Sequence, residues 1–134
     1  MFKSFDRFMF NMCAGTIFTA IQLIFGEVDR TLIVLLVCMG FDMLTGILVG
    51  AKNEKLSSKR CFSGLSKKLF ILIYIIIANQ LDILLSVNYI RVGVCYMYIV
   101  NDILSIIENG TSLGVPVPKV LKKALEILNE DKEV

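Results

Sequence analysis

The sequence predicts an all-α fold: a small polytopic membrane protein with three to four transmembrane helices and a C-terminal amphipathic helix. Three observations predict it. The chain of 134 residues is 56% hydrophobic and 19% charged, with a mean hydropathy of +0.74, far more apolar than an average soluble domain. Its apolar residues gather into stretches close to the about 20 residues a helix needs to cross a hydrocarbon core. Its basic residues collect between those stretches.

The first stretch, residues 8–25 ("FMFNMCAGTIFTAIQLIF"), is long enough to span but carries Asn11, Thr16, Thr19 and Gln22. Spanning, interfacial and exchanging placements are all open to it. A signal peptide is the less favoured reading, because no A-x-A-like site precedes Glu27 and the apolar run exceeds the usual h-region of about 7 to 15 residues. The second stretch, residues 31–51, is apolar with a single charge, Asp42, near its midpoint. The third, residues 69–85 ("LFILIYIIIANQLDILL"), and the fourth, residues 90–107 ("IRVGVCYMYIVNDILSII"), each contain one aspartate. Together they define a membrane domain over residues 1–110. Residues 111–134 form a cytoplasmic tail in which Val120, Leu121, Ala124, Leu125 and Leu128 share one helical face after Pro118.

Charge sets the orientation. The connection between the second and third stretches carries Lys52, Lys55, Lys59, Arg60, Lys67 and Lys68 against Glu54 alone, which predicts a cytoplasmic loop anchored against anionic lipid. The "SVNY" turn is uncharged, the tail is rich in lysine, and a spanning first stretch places Lys3 and Arg7 inside. Both termini are therefore expected in the cytoplasm.

Composition also excludes function classes. A net charge of +2 gives no polyanion-binding surface, and the chain has no histidine, the commonest metal ligand and general base. Cys13, Cys38, Cys61 and Cys95 form no CxxC pair. No cofactor, metal, disulfide, nucleic-acid partner or catalytic set is expected, and the protein reads as a non-enzyme.

What remains to explain is the polar residues inside apolar helices. On a helix, positions three or four apart share a face. Cys38, Asp42, Gly46 and Gly50 align in the second stretch, with Gly46 and Gly50 in a GxxxG pattern; Asn79, Asp82 and Ser86 align in the third; Arg91, Cys95, Tyr98, Asp102, Ser105 and Asn109, next to Glu108, align in the fourth. Arg7, Asn11, Gly15, Thr19 and Gln22 make a stripe along the first. A central Asp costs about 2.5 to 3.5 kcal/mol on insertion scales while each Leu, Ile, Phe or Val returns about 0.3 to 0.6, so one carboxylate per span is tolerable and must face away from lipid. Packing inside one small bundle is one way to satisfy these groups; contact between copies is preferred, because so short a bundle has little interior. Arg91 is expected to snorkel at the outer end of its helix, and the aspartates to be neutral while packed and ionised when facing water.

Particular strings then carry a resemblance. "FDMLTGILVGA", "KLSSKRCFSGLSKK", "ANQLDIL" and above all "YIVNDILSIIENGTSLGVPVPKVLKKALEIL" resemble the toxin-secretion and phage-lysis holins of Gram-positive bacteria and their phages, over residues 42–128. Asp102 stands where members of that family often carry Glu. The resemblance implies a protein that accumulates in the host membrane, self-associates, and at a set time opens lesions through which an endolysin or a toxin leaves, without required direct contact with that cargo. Its implied partners are lipid, further copies of itself, and an antiholin or a long or short form of the same chain; a product begun at Met9 or Met12 would lack Lys3 and Arg7. The alternative readings are a holin inhibitor and a small ion-coupled transporter or proton channel using the aspartates.

Overall fold

The computed structural model describes residues 2–130, excluding the side chains of Phe2, Leu125 and residues 128–130. It contains five helices and, among the described residues, no strand: α1 (Phe2–Phe25), α2 (Arg30–Lys52), α3 (Ser58–Leu85), α4 (Ile90–Ser112) and α5 (Lys119–Glu130). The first four are long and apolar enough to cross a membrane. The all-α class and the amphipathic last helix are as the periodicity indicates.

Helices α2, α3 and α4 form the bundle, with α2 packed most extensively on α4; α1 touches α3, and α5 touches α4. The core is one apolar cluster of Leu32, Leu35 and Met39 from α2, Ile71 and Ile75 from α3, and Cys95 and Ile99 from α4. Leu35, Ile75 and Cys95 are completely enclosed. Each residue sits three or four positions from the next on its own helix, so one stripe per helix faces inward and the remaining apolar surface, including Val34, Phe41, Phe70, Ile77 and Leu84, faces outward. That outward apolar surface suits a lipid solvent.

The turns follow from local chemistry. Asp29 caps α2, its Oδ1 accepting from the Leu32 N–H at 2.9 Å, and Ser57 caps α3 by accepting from the Arg60 N–H at 3.2 Å. Helices α2, α3 and α4 each close with a left-handed residue, Glu54, Ser86 and Gly114. In each case the next N–H reaches back five residues, from Lys55 to Gly50, Val87 to Asp82, and Val115 to Gly110.

The expected boundaries need three corrections. The basic connection is not a loop through Lys68: the chain re-enters a helix at Ser58, because Ser57 supplies a cap and no proline interrupts residues 58–68. Lys59, Arg60, Lys67 and Lys68 therefore ride on α3, which at 28 residues is about 42 Å long at 1.5 Å per residue. Helix α4 continues to Ser112, beyond both the expected end of its span and the boundary drawn at residue 110. The first stretch is helical from Phe2 rather than from residue 8. In α5, Val120 and Ile127 are exposed; the side chains of Leu125 and Leu128, which the periodicity places on the apolar face, lie outside the described residues.

Candidate functional site

The inward stripe of each bundle helix changes from apolar to polar at both ends of the core, which produces two polar clusters. At the end formed by the α1–α2 and α3–α4 turns, Asp82 of α3 accepts from the Ile90 N–H at 2.9 Å with Oδ1 and from the Arg91 N–H at 2.9 Å with Oδ2. Tyr89 gives α4 no side-chain cap. Asp82 takes that role from the neighbouring helix, placing a carboxylate against the positive N-terminus of α4. Beside it, Arg91 Nη2 contacts Asp29 Oδ2 at 2.7 Å. Burial alone would raise the Asp29 pKa, but the Leu32 N–H and the Arg91 guanidinium outweigh it and hold the carboxyl below its ordinary value. Asn79 donates to the Ile24 carbonyl at 3.1 Å, and Gln80 reaches the Leu23 and Ile24 carbonyls at 3.5 and 3.4 Å. These amides satisfy the open C-terminal carbonyls of α1 and hold it to α3.

The second cluster lies toward the basic end. Lys68 Nζ of α3 sits between two carboxylates, 2.6 Å from Asp42 Oδ2 of α2 and 2.6 Å from Asp102 Oδ1 of α4. All three spanning helices of the bundle thus meet at one ammonium. The Asp102 side chain is 2% exposed and that of Asp42 16%. A cleft with a cavity volume of about 320 Å³, lined by residues including Asp42, Gly46, Arg60, Lys67, Lys68, Ser105 and Asn109, runs alongside this triad. Below it, Asn109 donates to Thr45 Oγ1 at 2.9 Å, and Lys52 donates to the Ser112 carbonyl at 3.0 Å.

These placements revise several expectations. The stripes of α2, α3 and α4 were expected to meet other copies of the chain, yet Asp42, Asn79, Asp82, Arg91, Asp102 and Asn109 all find partners within it. Arg91 is buried and paired, not snorkelling. Asp42 and Asp102 both contact Lys68 Nζ of the same chain. Gly50 of the GxxxG pattern is covered by Leu56 of the same chain, and a Cβ on Gly46 would come 3.9 Å from Asn109 Nδ2. Tyr98 stacks on Tyr74 with ring centroids 6.4 Å apart. Ser105 lines the cleft, while Glu108 is exposed. Of the basic-loop residues, Lys55 lies in the short connection, and Lys59, Arg60 and Lys67 are exposed on α3.

Helix α1 contrasts with the others. Arg7, Asn11, Gly15 and Thr19 are exposed and only Gln22 of that stripe is half-buried; Thr19 Oγ1 returns to its own helix at the Gly15 carbonyl, 2.9 Å away. Two functional positions escaped the sequence reading. Lys68 was counted with the basic loop, although it lies three residues before Ile71 on the stripe that Ile75 and Asp82 continue. Asp29, just before an apolar run, carried the signature of a helix cap.

Among the described residues, no group of three His, Cys, Asp or Glu is placed to hold a metal. The chain is similar over 120 residues, at 43% identity, to an uncharacterised 14.9 kDa protein of Clostridium perfringens, covering 88% of this chain and 89% of that one. It is 39% identical over 115 residues to the uncharacterised protein Lmo0128 of Listeria monocytogenes, with 82% of each chain covered, and 31% identical over 111 residues to a probable holin of Bacillus phage phi105, again covering 82% of each. No solved structure matches. The bacteriophage holin family matches residues 19–130, which takes in the bundle, both polar clusters and α5, and this all-helical membrane protein, with four helices able to cross a membrane, belongs to that family.

Proposed function

We propose that the protein is a holin: it self-associates in the cytoplasmic membrane of a bacterial host and, at a set point in lysis, opens lesions that release an endolysin or a toxin. It acts with its basic end and both termini in the cytoplasm. The lysines and arginine at the α2–α3 connection support that orientation, as does the contact of Lys52 with the end of α4, which brings the lysine-bearing α5 to the same side.

The observation that carries the reading is α1. It is long and apolar enough to cross the membrane, yet none of its most apolar window is buried. Its stripe of Arg7, Asn11, Gly15 and Thr19 is uncovered by the bundle. Polar and small groups at span depth are costly against lipid and favourable against another helix. A second copy supplies that helix, so crowding of copies in the membrane buries the stripe, while a water-lined gap satisfies it equally well. A surface with two such solutions is suited to an abrupt transition.

Inducible expression in a bacterium, with growth and leakage of a cytoplasmic enzyme followed together, tests this. A delayed, abrupt halt in growth with enzyme release is expected. Ion leakage without enzyme release would overturn it in favour of a transporter or proton channel built on Asp42, Lys68 and Asp102. Delayed lysis seen only on co-expression with another holin would favour an inhibitor.

A further inference from the structure

The triad of Asp42, Lys68 and Asp102 holds two carboxyls and one ammonium in contact, at 2.6 Å on each side. Counted as fully ionised, it carries a net charge of −1 inside a bundle whose surroundings are hydrocarbon. A buried net charge is expensive, and burial of a carboxyl favours its neutral form. The groups facing the triad do not supply the missing positive charge. From α2, Cys38 interacts with Asp102 and Lys68 and carries no positive charge; from α4, Tyr98, four residues before Asp102, carries none either. From α3, Arg60, Cys61 and Lys67 line the cleft, and both Arg60 and Lys67 are solvent-exposed. Helices α1 and α5 contact α3 and α4, respectively, and among the described residues no salt bridge joins either of them to the triad.

A second observation locates the imbalance on one atom. Asp102 Oδ1 receives Lys68, but Asp102 Oδ2 is buried and has no hydrogen-bond partner among the described residues, on a side chain that is 2% exposed. An unpaired hydroxyl at that position costs less than an unpaired charge. Asp42, by contrast, is 16% exposed and lines the cleft, which holds about 320 Å³ next to the basic end.

We propose that this triad is a proton-binding site: at neutral pH one proton, additional to those of the lysine, resides on the carboxyl pair at Asp102 Oδ2 and exchanges with water through the adjoining cleft. Binding forms one O–H bond and changes the net charge of the triad from −1 to zero. Release breaks that bond, leaves the electron pair on the carboxylate and returns the proton to water. Because the three charged groups stand on three different helices, occupancy by the proton is coupled to how α2, α3 and α4 pack. The site does not depend on the lesion reading; a protein that opened nothing would still bind the proton.

Infrared spectroscopy of the full chain in lipid vesicles at neutral pH, in H2O and D2O, reads the site directly through the C=O stretch of a protonated carboxyl. The wild type is expected to show one such band, shifted in D2O. Asp42→Asn and Asp102→Asn each leave one carboxylate facing one ammonium, so each is expected to abolish the band. Lys68→Met leaves two carboxyls without their cation and is expected to increase the band about twofold. A wild type without the band, including one in which added sodium stabilises the protein in its place, would overturn the proposal, as would a band that persists in both asparagine variants. Asp102→Glu retains the charge and is expected to retain the band; its loss would also count against the site. The wild-type spectrum needs no variant to fold.

Discussion

Removing Lys68 is the sharpest test of how the bundle is held together. In Lys68→Met the stem is replaced by a side chain of similar length and the ammonium is lost, so Asp42 and Asp102 face each other without the group that sits 2.6 Å from each. At that separation and an effective dielectric of about 20, each contact has a gross attraction of about 6 kcal/mol. Desolvation of the ammonium cancels much of this in the wild type, whereas the variant leaves two buried carboxyls without their cation, which must take up protons or stand uncompensated, a situation that costs up to about 3 to 5 kcal/mol. The exposure of Lys68 and Asp42, 14% and 16%, places the expected loss toward the lower figure. The combined variant Asp42→Asn/Lys68→Met/Asp102→Asn removes every charge at once and is expected to return to within about 1 kcal/mol of the wild type. Reversible unfolding in detergent micelles, followed by circular dichroism, measures both. A loss below about 1 kcal/mol for Lys68→Met alone is the value of a solvated surface pair, and it would refute the view that the triad is an interior element joining three helices.

Two further expectations concern the opposite end. Gly26 has a φ of +82°, and a Cβ there would stand 2.5 Å from Asn79 Oδ1 and 3.1 Å from Arg91 Nε; Gly26→Ala should cost about 1 to 2 kcal/mol from the backbone and about 1 kcal/mol from the displaced Asn79 bond to Ile24, and faster proteolysis at the α1–α2 turn would report the loosened α1. The Asp29 carboxyl is held below its ordinary value of 3.8, so its contribution to stability is complete above that value and is lost as pH falls through the lowered one. Asp29→Asn keeps a capping side chain but not the titrating charge, and its unfolding midpoint should fall less steeply on acidification than that of the wild type; equal slopes would mean that Asp29 is not paired with Arg91 in the lipid-embedded protein.

Much of the architecture is legible without coordinates because it is written in quantities that a helix repeats locally. Apolar length identified four segments able to cross a bilayer, and each became a helix. Three-to-four-residue spacing identified which polar side chains share a face, and on α2, α3 and α4 those faces are the inward ones. Pro118 marked the start of the last helix, and α5 begins at Lys119. The family match along residues 19–130 takes in the residues 42–128 that carried the resemblance.

What a face meets is a different kind of quantity. The period of α4 places Arg91 and Asp102 on one side, but only the packing of three helices shows that Arg91 finds Asp29, 62 residues away, and that Asp102 finds Lys68, 34 residues away. Lys68 is the clearest case: as a sequence position it closes a basic run and reads as a membrane-surface anchor, and it is an interior cation because α3 begins at Ser58 and carries it into the bundle. Asp82 likewise reads as a buried acid until its neighbour's uncapped N-terminus comes within reach. Helical periodicity is set by bonds between residues close in the chain, so the sequence alone determined the spans and their faces; partner choice is set by contacts between residues far apart in the chain, and the tertiary structure alone decided which charges neutralise one another and left α1 standing outside the bundle.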